Sequence, residues 1–217
     1  MKFNQNENTE RFSEELAGEI TADFIERQKA RRPLENVWEL CLDFLAGRQN
    51  MGVSAAGDVR EQDADYFWQS RNVYNHVLPV MDTRLAKLAR VRPAMSVRSA
   101  SDDDSDLYTS RIAGKVLKAT CARIDEDALI SSATRWSEAI GTAFYLVGWN
   151  PEKGKVLGLS DGRAVCEGDV EIEVISPFEI FPDDLTRENV EDCDSIIRAR
   201  VVPAEKIAEA YGVEVHG

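Results

Sequence analysis

A change of hydrophobic pattern within residues 135–184 constrains the fold of this chain more than any other feature of its sequence. The segment begins with helical spacing, continues as the apolar run TAFYLVGW, turns at Asn150-Pro151 and returns through further strand-like residues. It ends in the aromatic stretch SPFEIFPDD, whose two prolines interrupt regular structure. The residues before this segment have helical patterns, and those after it predict one strand and one short helix.

The first part of the chain predicts two helices and a loop. Apolar residues recur every four positions within 10–31, which predicts a helix. The basic residues near its C-terminal end interact favourably with the helix dipole. Because proline stops one helix and can open the next, a second helix is expected from Pro33 to about Ala46. Residues 47–62 are small and polar, which indicates a mobile surface loop.

The middle of the chain predicts further helices. A long helix is expected over 63–92, with a kink or a break near His76 because Pro79 lies inside it. Alternating residues within 94–100 predict a short strand. Apolar spacing then predicts helices over 104–124 and 127–140.

The last part of the chain predicts strands, which we expect at 142–149, 155–160, 163–166, 169–175 and 196–202, before a helix over 203–211. The fold class is therefore α+β, with N-terminal helices followed by a small antiparallel β-meander. We divide the sequence into an N-terminal helical segment with its mobile loop, 1–62, and a helical plus β-hairpin region, 63–217. The two also fit one continuous domain.

Charge is distributed unevenly along the chain. Of the net charge of -13, residues 101–217 carry -12, and such an acidic half should repel a DNA backbone. The exception is the segment from Arg71 to Arg98, which has six basic residues and one acidic residue, a local net charge of +5. No apolar run approaches the ~20 residues of a membrane span, and no signal-peptide core is present, so we expect residence in a cytoplasm and no membrane partner.

Motifs for metal binding are incomplete. In SDDDSD, the aspartates at 102, 104 and 106 have the spacing of a calcium loop, but Leu107 and Ala113 replace the glycine and glutamate that such a loop needs. The aspartates fit a solvated helix N-terminus better. The four cysteines are isolated in sequence, which argues against zinc and against a disulfide framework. We predict no metal site.

Motifs for catalysis are also missing. GWNPEKGK, from Gly148, differs from a phosphate loop because Gly154 comes one residue late and Val156 replaces the Ser or Thr that would hold magnesium. The two histidines, His76 and His216, lack ligands or partners at useful spacing. We predict no catalytic residue, no cofactor and no enzymatic activity.

Two groups of residues are candidates for contacts. We define the basic edge as Arg84, Lys87, Arg90 and Arg92, of which the first three recur every three residues and so lie along one side of a helix. It is either a solvated face or a contact with an acidic surface, including that of a neighbouring copy. The second group is aromatic and consists of Trp149, Phe178 and Phe181. We expect these three to pack together, or to form a partner patch if they are exposed.

Several pieces of the chain, in order, resemble the portal proteins of tailed bacteriophages, particularly the short-tailed group. They are TRLAKLARVRPAMSVRSAS (83–101), AIGTAFYLVGWNPEKG (139–154) and GDVEIEVISPFEIFPDD (168–184), supported by IIRARVVPAEKIAEAYG (196–212). The resemblance covers about residues 34–212 and implies the peripheral wing of such a protein. Family members continue into a channel-lining helix and a motor-binding clip, so we expect a fragment, a truncated product or a relative without the channel.

The resemblance implies a structural protein that forms a homo-oligomeric ring, typically of about twelve copies, at one capsid vertex. DNA would pass through the ring during packaging and ejection without being bound specifically. Implied partners are capsid and scaffolding proteins, the packaging terminase, and head-completion or tail proteins. The implied location is the portal vertex of the virion, and the host cytoplasm during assembly. The acidic half of the sequence leaves an alternative, an acidic interaction module such as a DNA mimic or adaptor.

Overall fold

The computed structural model describes residues 5–62, 68, 72–91, 95–160 and 163–212, and over these residues it confirms the α+β class. The helices are α1 Gln5–Leu45, α2 Val77–Leu88, α3 Asp104–Arg123, α4 Glu126–Ile140 and α5 Ala204–Tyr211. The strands are β1 Met51–Val53, β2 Val59–Glu61, β3 Phe144–Asn150, β4 Val156–Ser160, β5 Arg163–Cys166, β6 Asp169–Ile175, β7 Ile180–Pro182 and β8 Ile196–Arg198.

The chain divides into two compact units. The first unit contains Met1–Asn36 and Phe178–Gly217, and the second contains Val37–Pro177. The first unit therefore combines the two ends of the sequence. The division of the sequence at residue 62 stays a prediction about domain organisation.

Helix α1 continues through Pro33, so the prediction of two separate helices is wrong. A proline inside a helix removes one backbone hydrogen bond and costs about 3 kcal/mol. Several side chains near it in the helix are buried, namely Arg31, Glu35 and Trp38, although its immediate neighbours Arg32 and Leu34 are exposed. Burial and ion pairing of these side chains stabilise the helical backbone enough to offset the local cost.

Helix α2 covers part of the predicted helix over 63–92, of which residues 63–67, 69–71 and 92 lie outside the described residues. It begins at Val77, which agrees with the break expected near His76, and residues 72–76 are not helical. The carboxamide oxygen of Asn75 accepts hydrogen bonds from the backbone N–H groups of Val77 and Leu78, at 3.1 and 3.2 Å. Pro79 thus lies in the first turn, where a helix does not need its N–H.

Two further expectations about local structure are corrected. Residues 47–62 contain a short antiparallel hairpin of β1 and β2, which the small polar composition of this segment conceals. Residues 95–100 form no strand. Helices α3 and α4 end within one residue of the expected positions, and Gly141, with φ of 82°, ends α4. Strand β8 ends at Arg198, four residues before the predicted end of the strand over 196–202.

Strands β3 to β6 of the second unit pair as one nested hairpin. β3 pairs with β6 over seven residues, from Phe144↔Ile175 to Asn150↔Asp169, and β4 pairs with β5 inside this pair. The strands are antiparallel, as predicted, but β3 is not paired with its next neighbour in sequence. Backbone hydrogen bonds from Gly168 to Lys153 at 2.8 Å and from Glu167 to Lys155 at 2.9 Å connect the outer and inner pairs.

Large apolar side chains are seldom buried in the described part of the chain. The buried hydrophobic residues are Trp38, Met81, Ala133, Ile175, Ile180 and Phe181. In the first unit, Ile180 and Phe181 lie on β7, which pairs with β8. This small core leaves many apolar residues at the surface.

We predict that Pro33→Ala raises the free energy of unfolding by about 2 kcal/mol. Alanine restores the missing helical N–H, and the gain exceeds the entropy that proline removes from the unfolded chain. Chemical denaturation followed by circular dichroism measures the change. Pro203→Ala is the matched control, because Pro203 precedes α5 and its change should stay below about 1 kcal/mol. A destabilised Pro33→Ala protein would contradict this account.

Candidate functional site

Arg31 is a buried arginine of the first unit, with only 1% of its surface exposed. Its Nε and Nη2 atoms donate to Glu35 Oε1, at 2.9 and 2.5 Å. Nη2 also donates to the carbonyl of Phe178 at 2.8 Å, and Nη1 donates to the carbonyl of Ile180. The guanidinium lies over the ring of Phe181, 3.5 Å from its centroid. Arg31 therefore fastens α1 to residues 178–181.

Arg27, one turn earlier, makes a second set of contacts to the same region. It pairs with Asp23 and donates from Nη1 to the carbonyls of Phe181 at 3.2 Å and Ser195 at 3.0 Å. Nη2 donates to the hydroxyl of Ser195 at 2.6 Å. From sequence, Arg27 and Arg31 are expected only to interact with the helix dipole. Their long-range acceptors are backbone carbonyls and the Ser195 hydroxyl, which carry no sequence signal.

The aromatic candidates lie in different units. In the first unit, Phe181 is 5% exposed and packs edge-to-face on Phe24, with ring centroids 4.8 Å apart. Phe178 is half-buried, and its carbonyl accepts from Arg31. Trp149 belongs to the second unit. Phe181 therefore packs on Phe24, and the predicted packing of the three aromatic residues and their role in partner binding stay predictions.

Trp149 is 63% exposed, and one side of its ring lies against Gly168. A Cβ atom at position 168 would come within 2.4 Å of Trp149 Cζ2. Gly168 also has φ of 78°, which other residues rarely adopt. The indole of Trp149 therefore packs against Gly168, and the other side of the ring is exposed to solvent.

One face of the β3–β6 pair is entirely apolar. Residues that are directly opposite in an antiparallel pair share a face. The register places Tyr145 opposite Val174, Val147 opposite Ile172 and Trp149 opposite Val170. We call these six residues the hairpin face. Tyr145, Val147, Trp149 and Val170 are exposed, and Ile172 and Val174 are half-buried.

The opposite side of the same pair is mixed, because it carries the apolar residues Phe144, Leu146 and Ile175, of which Ile175 is buried, as well as polar residues. Glu171 accepts a hydrogen bond from the Asn150 side chain at 2.8 Å and pairs with Lys153. These bonds, first that from Lys153, hold the pKa of the Glu171 carboxyl below its ordinary value. Glu173 is exposed. The hairpin face is therefore the side whose apolar residues are mostly exposed, whereas the opposite side buries Ile175.

The basic edge is partly neutralised within the molecule. Arg84 binds Glu138 of α4 with two hydrogen bonds, at 2.5 and 3.0 Å, although the arginine itself is exposed. Lys87 lies in the last turn of α2 and Arg90 in the turn after it. Both are exposed and form no ion pair with a described residue. Arg92 lies outside the described residues.

A groove of about 280 Å³ lies between α2 and α4. It is lined by apolar side chains, by the hydroxyls of Ser131 and Thr134, and by one charged residue, Arg135. The apolar lining residues are Leu85, Ala86, Leu88, Ala89 and Ile130. Leu88 is exposed, so the groove is open to solvent.

The aspartates of the SDDDSD motif lie at the start of α3. Asp103 precedes the helix, and Asp104 and Asp106 lie in its first turn, where their negative charges interact favourably with the positive end of the helix dipole. No group of three metal-ligating side chains comes together within the described ranges. The four cysteines are free, half-buried thiols. None of the described helices is apolar over a length that could cross a membrane.

Comparisons with known proteins give no relative. No protein-family model, no curated protein and no solved structure matches the chain. The resemblance to phage portal proteins therefore stays a hypothesis, and the surfaces described above are the structural indications of function.

We predict that Arg31→Lys destabilises the protein by about 2–4 kcal/mol. A single ammonium cannot replace the planar fork that bonds Glu35 and two carbonyls and stacks on Phe181. Denaturant unfolding measures the change. Arg32→Lys is a matched control one residue away, because Arg32 is exposed and pairs with Glu35 at 3.6 Å. It should cost about 0.5 kcal/mol or less. Equal losses in both variants would contradict the role assigned to Arg31.

We also predict that Arg84→Gln raises the pKa of Glu138. Hydrogen bonds from Arg84 hold the pKa of the Glu138 carboxyl below its ordinary value. A lowered folded-state pKa stabilises the protein above the unfolded-state pKa, and this contribution is lost as pH falls through the folded-state pKa. Carboxyl-detected NMR titration measures the shift. Lys87→Gln, which removes a nearby charge without a contact, should leave the pKa of Glu138 almost unchanged; an equal rise in both variants would exclude the specific pair.

Proposed function

We propose that the chain is a structural component of a phage portal ring at a capsid vertex, through which DNA is packaged and ejected. The proposal starts from the motif resemblance and is supported most directly by the hairpin face. Its partners are further copies of itself, capsid and scaffolding proteins, the packaging terminase, and head-completion or tail proteins. Its location is the virion, with assembly in the host cytoplasm.

The hairpin face supports assembly because it is apolar and uncovered. A two-stranded sheet is only marginally stable in water without a third strand or a packed face. Contiguous exposed apolar residues on a protein of this kind commonly mark an interaction site. Tyr145, Val147 and Trp149 form such a row along β3. Neighbouring subunits in a ring would cover this row and stabilise the hairpin.

The charge distribution supports passage of DNA rather than its specific binding. Residues 101–217 carry a net charge of -12, which opposes tight contact with phosphates. The chain would then act by assembly and shape, without catalysis. Nothing in this proposal requires a bound cofactor.

An acidic interaction module, such as a DNA mimic or adaptor, is the second candidate. It is favoured by the loop 183–194, which has six carboxylates and one arginine. Such a module would stay monomeric and compete with DNA for a basic protein. Light scattering combined with negative-stain images separates the two candidates. Rings support the portal proposal, and a strict monomer that displaces DNA from a basic protein supports the module.

We predict that Val147→Lys reduces self-association at least about tenfold, because a charge in an apolar contact must be desolvated. Sedimentation velocity over a concentration series measures the change. Glu173→Lys is the matched control, since it places the same side chain on the opposite side of the same strand pair. Far-ultraviolet circular dichroism checks that both variants fold. If the two variants assemble as well as the wild type, the hairpin face is not an assembly surface.

A further inference from the structure

Helix α3 presents an apolar stripe to solvent along its outer side. No residue of this helix, all of which the structure describes, is buried. Tyr108, Ile112 and Val116, which recur every four positions, are 66%, 46% and 59% exposed. Residues at this spacing lie on one face of a helix. Because a helix of a folded protein normally buries such a stripe, we expect another surface to cover it.

A row of cations lies beside this stripe. Arg111 directly precedes Ile112 in the sequence. Lys115, one turn later, directly precedes Val116. Because each step along a helix turns by about 100°, the two cations lie on the same flank of the stripe. Both are exposed and form no ion pair with any residue that the structure describes. The outer side of α3 therefore offers aliphatic surface with uncompensated positive charge on one flank.

The N-terminal half of α1 has the same arrangement with the opposite charge. Glu15 directly precedes Leu16, and all four residues of the motif are exposed, since Glu19 precedes Ile20 in the same way one turn later. The two carboxylates form no ion pair within the described part of the chain. The next member of the apolar stripe, Phe24, is half-buried. This half of α1 therefore offers aliphatic surface with uncompensated negative charge on one flank.

The order of the charged and apolar residues determines how the two helices can meet. In both helices the charged residue comes one position before the apolar residue, so the charges lie on the same flank of each stripe. Two helices that pack through their stripes bring these equal flanks together only when they run antiparallel. Charges beside an apolar helix contact set the orientation of the partners. Only the antiparallel arrangement places the carboxylates of α1 beside the cations of α3.

We propose that the exposed half of α1 in one copy packs antiparallel on the outer side of α3 in a second copy. Leu16 contacts Val116, and Ile20 contacts Ile112. The charges that face each other are those of Glu15, Glu19, Arg111 and Lys115. Burial of the two apolar stripes favours the contact, and the opposite charges fix its register and its orientation.

A second copy of the chain is the partner that fits, because each copy carries both complementary surfaces and exposes both of them. The two surfaces differ, so the contact is head-to-tail, and repetition of it closes a ring when the rotation per subunit allows. The inference rests on the proposed ring function and names a contact that builds the ring.

A charge-exchange experiment tests the contact with two variants of the full chain. The α1 variant is Glu15→Lys/Glu19→Lys, and the α3 variant is Arg111→Glu/Lys115→Glu. Each variant alone brings like charges together, so its self-association should fall at least about tenfold. An equimolar mixture restores opposite charges at both kinds of contact, and association should return. Sedimentation velocity across a salt series measures all samples, and circular dichroism checks folding.

Two further variants control for the change in net charge. Lys87→Glu/Arg90→Glu matches the α3 variant, and Glu188→Lys/Glu191→Lys matches the α1 variant, because each changes two exposed charges outside the proposed contact. Both should assemble like the wild type. Higher salt should weaken wild-type association, because exposed charges are screened within about 8 Å at physiological ionic strength.

Cysteine cross-linking tests the orientation of the helices. Leu16→Cys in one copy should form a disulfide with Val116→Cys in a second copy. Tyr108→Cys, at the other end of the α3 stripe, should not react with it. A purification tag on the Leu16→Cys chain identifies mixed products on a non-reducing gel, and each variant alone controls for the native cysteines. A disulfide with Tyr108→Cys instead would overturn the antiparallel arrangement.

The outcomes separate this inference from the proposed function. If the wild type forms rings and the α1 or α3 variant assembles equally well, the contact is overturned while the ring proposal stands. If both variants fail alone and their mixture also fails, or if the control variants lose as much association, the contact is again overturned. If the wild type is monomeric at every concentration and salt, both proposals are overturned.

Discussion

The first compact unit depends on one buried cation, the guanidinium of Arg31. Burial lowers the pKa of this arginine, and its bonds to Glu35 oppose that change. A buried ion pair contributes to stability only when its remaining donors are also satisfied, and here the carbonyls of Phe178 and Ile180 accept them. The ring of Phe181 covers the guanidinium and excludes water. The helix and the irregular segment therefore share one polar centre, which stabilises the unit only if both parts are folded.

The second unit differs from the first because much of its apolar surface is exposed. Its long hairpin has two strands for most of its length, and its apolar face is open. The groove between α2 and α4 is open as well. Exposed aliphatic and aromatic area favours association through the hydrophobic effect, and charge selects the partner and its orientation. Under the proposed function, further copies of the chain would cover this surface.

Sequence patterns predicted the local structure well where the signals are local. Helices α3 and α4 and the strands near residues 156–175 follow from apolar spacing, capping residues and turns, and their bounds differ from the prediction by a few residues. The continuity of α1 through Pro33 was not predictable, because it depends on contacts of Arg31 with carbonyls about 150 positions away. The groove likewise requires α2 and α4 to meet. The basic edge was visible in the sequence, whereas the neutralisation of Arg84 by Glu138 was not.

The seat of Trp149 on Gly168 limits which sequences this hairpin can accept. Two independent conditions apply to position 168, a positive φ and the absence of a Cβ beneath the indole. A smaller residue at position 149 would relieve the steric condition alone, and the backbone condition would persist. Substitutions at 149 should therefore be tolerated over a wide range of sizes, while position 168 should admit glycine almost exclusively. Random mutagenesis of positions 149 and 168 should recover many residue types at 149 and almost only glycine at 168. A smaller residue at 149 should not make a non-glycine residue at 168 acceptable.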